Sequence, residues 1–215
     1  LTELKAHREE IANALSHGLG VVLAIGGGAV LITLTVIYAG AREIVSASVF
    51  VASLVLLYSA STFYHAARRP HLKSRLKVLD HCAIFLLIAG TYTPFTVVAL
   101  RGGWGWSLFG VIWAMAVMGI LFKLFFTGRF RILSTATYVG MGWLVLVAFI
   151  PLVQALTPAA LGWLIAGGVL YTAGTIFYHN ERIPYSHAVW HLFVLGGSIC
   201  HFAAVTAQIV PMAAT

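Results

Sequence analysis

His187 and His191 stand four residues apart in the segment Ser186-His187-Ala188-Val189-Trp190-His191. On an α-helix that spacing stacks both imidazoles on one face, and two imidazoles so placed can share a transition-metal ion. A third imidazole, from His65, would give three protein ligands. Zinc held in this way keeps its fourth position for water or substrate, which is a catalytic rather than a structural arrangement. Asp80 offers a carboxylate that would hold water or orient a ligand histidine. Ser61, one turn before His65, offers a hydroxyl to water or substrate. Each residue also has a plainer use. Histidines at helix ends cap or snorkel, an aspartate just after a basic loop caps a helix or pairs with Lys77, and a serine in an apolar helix packs against its neighbour. The set gains weight because its members fall at one depth on three different helices.

Further polar residues surround this set. Glu10, Asn13 and His17 lie at i, i+3 and i+7 and so share a face. They form either a polar cluster that closes the site or a solvated amphipathic lead-in to the first span. His201 comes ten residues after His191, roughly 15 Å deeper at 1.5 Å per residue, too far to ligate the same ion without a kink. It reads as a buried histidine. His7, His71 and His179 fall in or near loops, and His81 points about 100° away from Asp80 on a helix.

These side chains have to be positioned inside a membrane. Of 215 residues, 60% are hydrophobic and only 9% are charged, against about a quarter charged in soluble domains. A chain of this size has no core able to hide so much apolar surface, so most of it must face lipid. The expected architecture is all-α: a single domain over residues 1–215 with seven transmembrane helices, near 17–38, 45–66, 79–100, 105–126, 132–152, 159–179 and 186–209. Sustained alternation is missing, which excludes barrel strands. Eleven of the thirteen Lys and Arg residues fall on one side of this arrangement, and only Arg42 and Arg101 on the other. That bias predicts a cytoplasmic N-terminus and an outer C-terminus. The formal net charge of +7 is thus spent on topology, and no nucleic-acid partner is expected.

Cys82 and Cys200 lie in apolar segments and read as packing residues. No cleavable leader is expected from the polar N-terminus. Glycines in the sixth and seventh spans, among them Gly167, Gly174 and Gly197, suit close helix approach. Pro94 should kink the third helix, either opening a cavity or only shaping the packing. Trp104, Trp106 and Trp163 fit an outer aromatic belt.

Four ordered segments carry a resemblance: Glu10-Ile11-Ala12-Asn13-Ala14-Leu15-Ser16-His17, Ser59-Ala60-Ser61-Thr62-Phe63-Tyr64-His65, Leu79-Asp80-His81 running to Thr93-Pro94-Phe95, and Ile183-Pro184-Tyr185-Ser186-His187 through His191 to His201-Phe202. In these the chain resembles the bacterial hemolysin III family, within the progestin and adipoQ receptor superfamily. The resemblance implies a bacterial multi-pass protein of the inner membrane, with Zn²⁺ near the inner leaflet on His65, His187 and His191. It places Asp80 beside the ion, through water or directly, and Ser61 next to it. Adiponectin receptors and the related alkaline ceramidases are linked to ceramide hydrolysis. The resemblance therefore implies a metal-dependent hydrolase of lipid amide or ester bonds in membrane lipid homeostasis, with a membrane lipid or fatty-acyl substrate. The long soluble N-terminal region of the adiponectin receptors has no counterpart here, so hormone binding does not carry over.

Two other readings compete. One is a non-enzymatic membrane sensor or receptor with structural or regulatory zinc, or a cytolytic protein as the family name implies. The other is a transporter, against which only His201 continues the polar residues inward. The oligomeric state cannot be read from the sequence.

Overall fold

The computed structural model describes residues 2–180 and 182–210, and every regular element among them is helical. The chain runs through α1 (Thr2–Tyr38), α2 (Ala41–Ala66), α3 (Pro70–Pro94), α4 (Gly102–Phe126), α5 (Arg131–Trp143), α6 (Phe149–Ala155), α7 (Pro158–His179) and α8 (Ser186–Ile209). A π-helical segment, Phe95–Leu100, continues α3, and a 3₁₀ segment, Leu144–Ala148, joins α5 to α6. Among the described residues seven stretches are long and apolar enough to cross a membrane, α5 and α6 together making one of them. Large apolar side chains such as Leu15, Val22, Leu56, Phe125, Ile132 and Ile176 face outward from the bundle, as lipid requires.

Two helices begin earlier than expected. The first starts at Thr2 rather than near residue 17, and the third at Pro70 rather than near 79. Apolar length marks the stretch inside the bilayer and is blind to polar turns that extend the same helix. Pro70, at the first helical position of α3, needs no N–H partner there and its fixed φ suits a helix start. Asp80 therefore lies almost three turns into α3 instead of opening it.

The helix ends sort into two faces. At one, Glu10 of α1 meets Lys73 of α3 (Nζ to Oε2, 2.8 Å), and the Tyr185 N–H before α8 donates to Glu9 (3.3 Å). At the other, Arg101 approaches Glu43 at 4.0 Å, and the Thr157 N–H before α7 donates to Gln208 near the end of α8 (3.1 Å). The two arginines expected to stand apart from the basic face thus do so, on the second.

α3 is the buried centre of the bundle, with 67% of its apolar window inside the protein. Regular α-helix stops at Pro94, which has no N–H to bond back, and the chain continues as a π-helix. Hydroxyls satisfy carbonyls around the change: Thr93 Oγ1 donates to the Ala89 carbonyl (2.9 Å) and Thr96 Oγ1 to that of Tyr92 (3.0 Å). Gly105 of α4 packs onto this segment so closely that a Cβ would stand 2.3 Å from the Thr96 carbonyl oxygen. Here only glycine fits.

The fifth span loses its α-helical bonds at Leu144, and lipid offers nothing to replace them. Tyr92 of α3 does. Its hydroxyl donates toward the Met141 and Gly142 carbonyls (2.8 and 2.9 Å) and accepts from the Val145 N–H (2.9 Å). Removing it strands buried backbone groups, at a cost of roughly 1–3 kcal/mol. Tyr92→Phe is therefore expected to lower the thermal midpoint of the purified protein, and an unchanged midpoint would show the span break to be held by other means.

Candidate metal centre

His65 closes α2, and His187 and His191 occupy the first two turns of α8. Each of the three offers a ligand atom within 4.8 Å of the other two. His65 and His191 are almost fully buried, at 5% and 1% exposure. The outer nitrogen of each, Nε2, is buried with no hydrogen-bond partner. A buried polar atom without a partner is costly, and two on converging rings ask for a shared ligand.

The inner nitrogens are already held. His65 Nδ1 donates to Glu10 Oε2 at 2.9 Å, and the same carboxylate accepts from Lys73. His191 Nδ1 donates to the Asn13 carbonyl (3.2 Å) and lies 3.0 Å from Ser16 Oγ. The Ser16 hydroxyl donates its own proton to that carbonyl (2.9 Å), so its oxygen accepts from the imidazole. With Nδ1 protonated on both rings, the lone pair is left on Nε2, facing the group. Such outer partners fix the tautomer and orientation of a ligating histidine. The donor set of three imidazoles fits zinc with an open position, among other transition metals.

α1 thus reaches into the centre. Asn13 and His17 are 5% and 2% exposed, which rules out the solvated lead-in for both. The His17 ring stacks on His191 with centroids 3.5 Å apart and meets Tyr58 edge-on at 5.0 Å. Both His17 nitrogens are buried without a partner. His17 is not part of the three-histidine group.

Asp80 lies on α3 with its side chain 13% exposed. Across the α2–α3 contact its carboxylate interacts with Ser61, although the buried Ser61 hydroxyl closes no hydrogen bond of ordinary geometry. Asp80 also stands outside the 4.8 Å group. His81 Nδ1 donates to the Lys77 carbonyl (2.7 Å) and lies 3.6 Å from Asp80 Oδ2; His81 too is outside the three-histidine group.

An apolar cavity of about 530 Å³ leads to this centre. His17, Asp80, His187 and, far along it, His201 contribute to its wall, which follows the α3 break past Thr91, Tyr92, Phe95 and Thr96. His201 is 7% exposed and stacks on Tyr171 at 5.2 Å. Gly167 makes room for it, since a Cβ there would stand 2.7 Å from the ring. His201 lies outside the three-histidine group. A second pocket, of about 480 Å³, sits on the other side of His65 among His7, Glu10, Arg68 and Lys73.

Several polar residues carried no sequence signal that singled them out. Ser16 could not be told from any serine in a helix. Tyr58 donates to Ser198 Oγ (2.6 Å), which also bonds the Tyr171 hydroxyl (2.8 Å). The polar residues therefore continue past the centre through more than His201, as a closed hydrogen-bonded set. Lys123 does carry a signal, as a lone charge between Phe122 and Leu124. It is 2% exposed.

Comparison with known proteins agrees with this picture. A family model described as "Haemolysin-III related" matches residues 5–202. Hemolysin-3 of Bacillus cereus is 46% identical over 206 residues, covering 96% of this chain and 94% of that protein. The Hemolysin-3 homolog of Bacillus subtilis (strain 168) is 47% identical over 198 residues, covering 92% and 93%. More distantly, the adiponectin receptor protein of Drosophila melanogaster is 24% identical over 228 residues, covering 92% of this chain and 50% of that one. No solved structure matches the chain. The match over nearly the whole length, with seven membrane-spanning helices, makes this chain a multi-pass integral membrane protein of bacterial type that belongs to the haemolysin-III-related family, within the progestin and adipoQ receptor superfamily.

Proposed function

We propose that this protein is a zinc-dependent hydrolase of lipid amide or ester bonds, acting in membrane lipid homeostasis. The observation that carries the reading is the convergence of three imidazoles, two with buried and partnerless Nε2 atoms, at the head of an apolar cavity. An acyl chain fits such a wall, and its polar end then lies against the histidines. The basic, histidine-bearing face lies toward the cytoplasm, so substrate comes from the inner leaflet.

His65, His187 and His191 would hold the ion. Zinc supplies Lewis acidity toward an acyl carbonyl and toward water. The protein supplies the rest. Asp80, in the cavity wall and outside the ligand group, accepts a proton from the attacking water and returns it to the leaving amine or alkoxide. The Ser61 hydroxyl orients that water or the developing oxyanion. Glu10, Asn13 and Ser16 keep the ligand nitrogens aimed, and His17 packs the His191 ring in place.

The test is acyl release from membrane lipids by the purified protein in lipid nanodiscs, before and after chelation and after zinc is restored. Release that falls on chelation and returns with zinc is expected; a fully zinc-loaded protein that releases nothing from any lipid would replace the enzyme with a sensor. Glu10→Gln keeps the shape but removes the carboxylate on His65 Nδ1. Zinc affinity is expected to fall by about 10- to 100-fold, read by competition with a chelator, and unchanged affinity would deny Glu10 this role.

A further inference from the structure

The rim of the large cavity is basic. Lys77 of α3 and Arg131 at the start of α5 line it, with His81, Gly128, Thr135 and Tyr138 beside them. Arg131 donates to the Tyr178 carbonyl (3.1 Å) and its guanidinium carbon lies 5.2 Å from the Tyr178 ring centroid, which fixes the fork at the rim. The Lys77 ammonium lies close to Gly128, 3.8 Å from where a Cβ would stand. Behind them Lys123 is buried, its ammonium donating to Ser134 Oγ at 2.5 Å and 5.9 Å from the Tyr138 ring centroid. Among the described residues no carboxylate comes within 4.0 Å of the Lys77 or Lys123 ammonium, and Asp80 interacts with Lys77 only at longer range. Among the described residues Asp80 is the one carboxylate in the cavity wall.

Positive charge at one end of a membrane protein ordinarily sets topology. Arg69 and Arg75 fit that use: both are exposed, and neither lines the cavity. Lys77 and Arg131 differ because they stand where an apolar wall begins. A low-dielectric wall under a cationic rim focuses positive potential on whatever polar group sits there, and an arginine fork matches a phosphate.

We propose that the cavity takes a lipid with an anionic, phosphate-bearing headgroup. The head rests on Lys77 and Arg131, the acyl chain follows the apolar wall, and the bond between them comes to lie beside the histidines. This deepens the lipid reading above and rests on it. It favours an anionic glycerophospholipid or lysophospholipid over an uncharged ceramide-type lipid.

The test is binding of a fluorescent lysophosphatidylglycerol to the full chain in neutral detergent, against a lysophosphatidylcholine of equal chain length. The anionic lipid is expected to bind about tenfold more tightly, the scale of one charge-assisted contact. Lys77→Gln and Arg131→Gln should each remove most of that preference, and Arg131→Lys should retain part of it, so that a folding fault in one variant does not decide the matter. Arg69→Gln and Arg75→Gln, the same charge change outside the cavity, should leave it intact. Equal binding of both lipids, an equal loss in the Arg69 and Arg75 variants, or displacement by glycerol phosphate alone would each overturn the proposal. The preference should persist in the wild-type protein stripped of zinc by a chelator. A failure of the metal reading would then show in zinc content and turnover, and a failure of this one in lipid preference.

Discussion

Asp80→Asn is expected to keep its zinc and to lose lipid turnover by about 10²- to 10⁴-fold, the usual share of a general base. Asp80 is in the cavity wall, 13% exposed, and outside the three histidines that can share an ion. Asparagine has nearly the same volume and can still face Ser61, so the packing of α2 on α3 should survive. What it cannot do is accept a proton from water. Turnover measured in nanodiscs, together with zinc content, separates the two roles open to Asp80. Loss of turnover with full zinc identifies the base. Loss of zinc as well would make Asp80 a ligand or the support of one, and unchanged turnover would remove it from the chemistry.

The second large effect is on the metal itself. His187→Ala/His191→Ala removes two of the three imidazoles, and the remaining His65 cannot hold an ion alone. Zinc should fall from about one per chain to near background, a consequence of a site with only three protein ligands. A bound ion stabilises the folded state by mass action, so the wild-type midpoint should rise with added zinc and the variant's should not. If both proteins carried the same zinc, the centre would lie elsewhere. His17 supplies a control. His17→Phe keeps a flat ring to stack on His191 and takes away two nitrogens that bond nothing in the structure, so zinc content should be unchanged.

The seven spans were legible because apolar length and sparse charge are local properties of the chain. The bounds of α1 and α3 were not, since a helix that continues into polar sequence leaves no hydropathy edge. The i, i+4 pair His187 and His191 was legible from spacing alone. His65 joins them only through the packing of α2 against α8, and sequence depth cannot state which faces meet. For the same reason the stacking of His17 on His191 and the bond from His191 to Ser16 and Asn13 were out of reach. They depend on α1 lying against α8, about 175 residues apart in the chain. Lys123 was visible as a lone charge in an apolar run, yet its burial against Ser134 depends on how α4 meets α5. Tyr92, which mends the break in the fifth span, could not be told from any other aromatic residue of a membrane helix.

Whether His65, His187 and His191 together bind a metal ion through nitrogen decides the proposed function. X-ray absorption spectroscopy of the purified wild-type protein at the zinc edge tests it most directly. About one zinc per chain is expected, with three imidazole nitrogens at about 2.0–2.1 Å and no sulfur. A spectrum dominated by sulfur or by oxygen alone, or a protein that binds no zinc when supplied with it, would place the metal elsewhere or remove it.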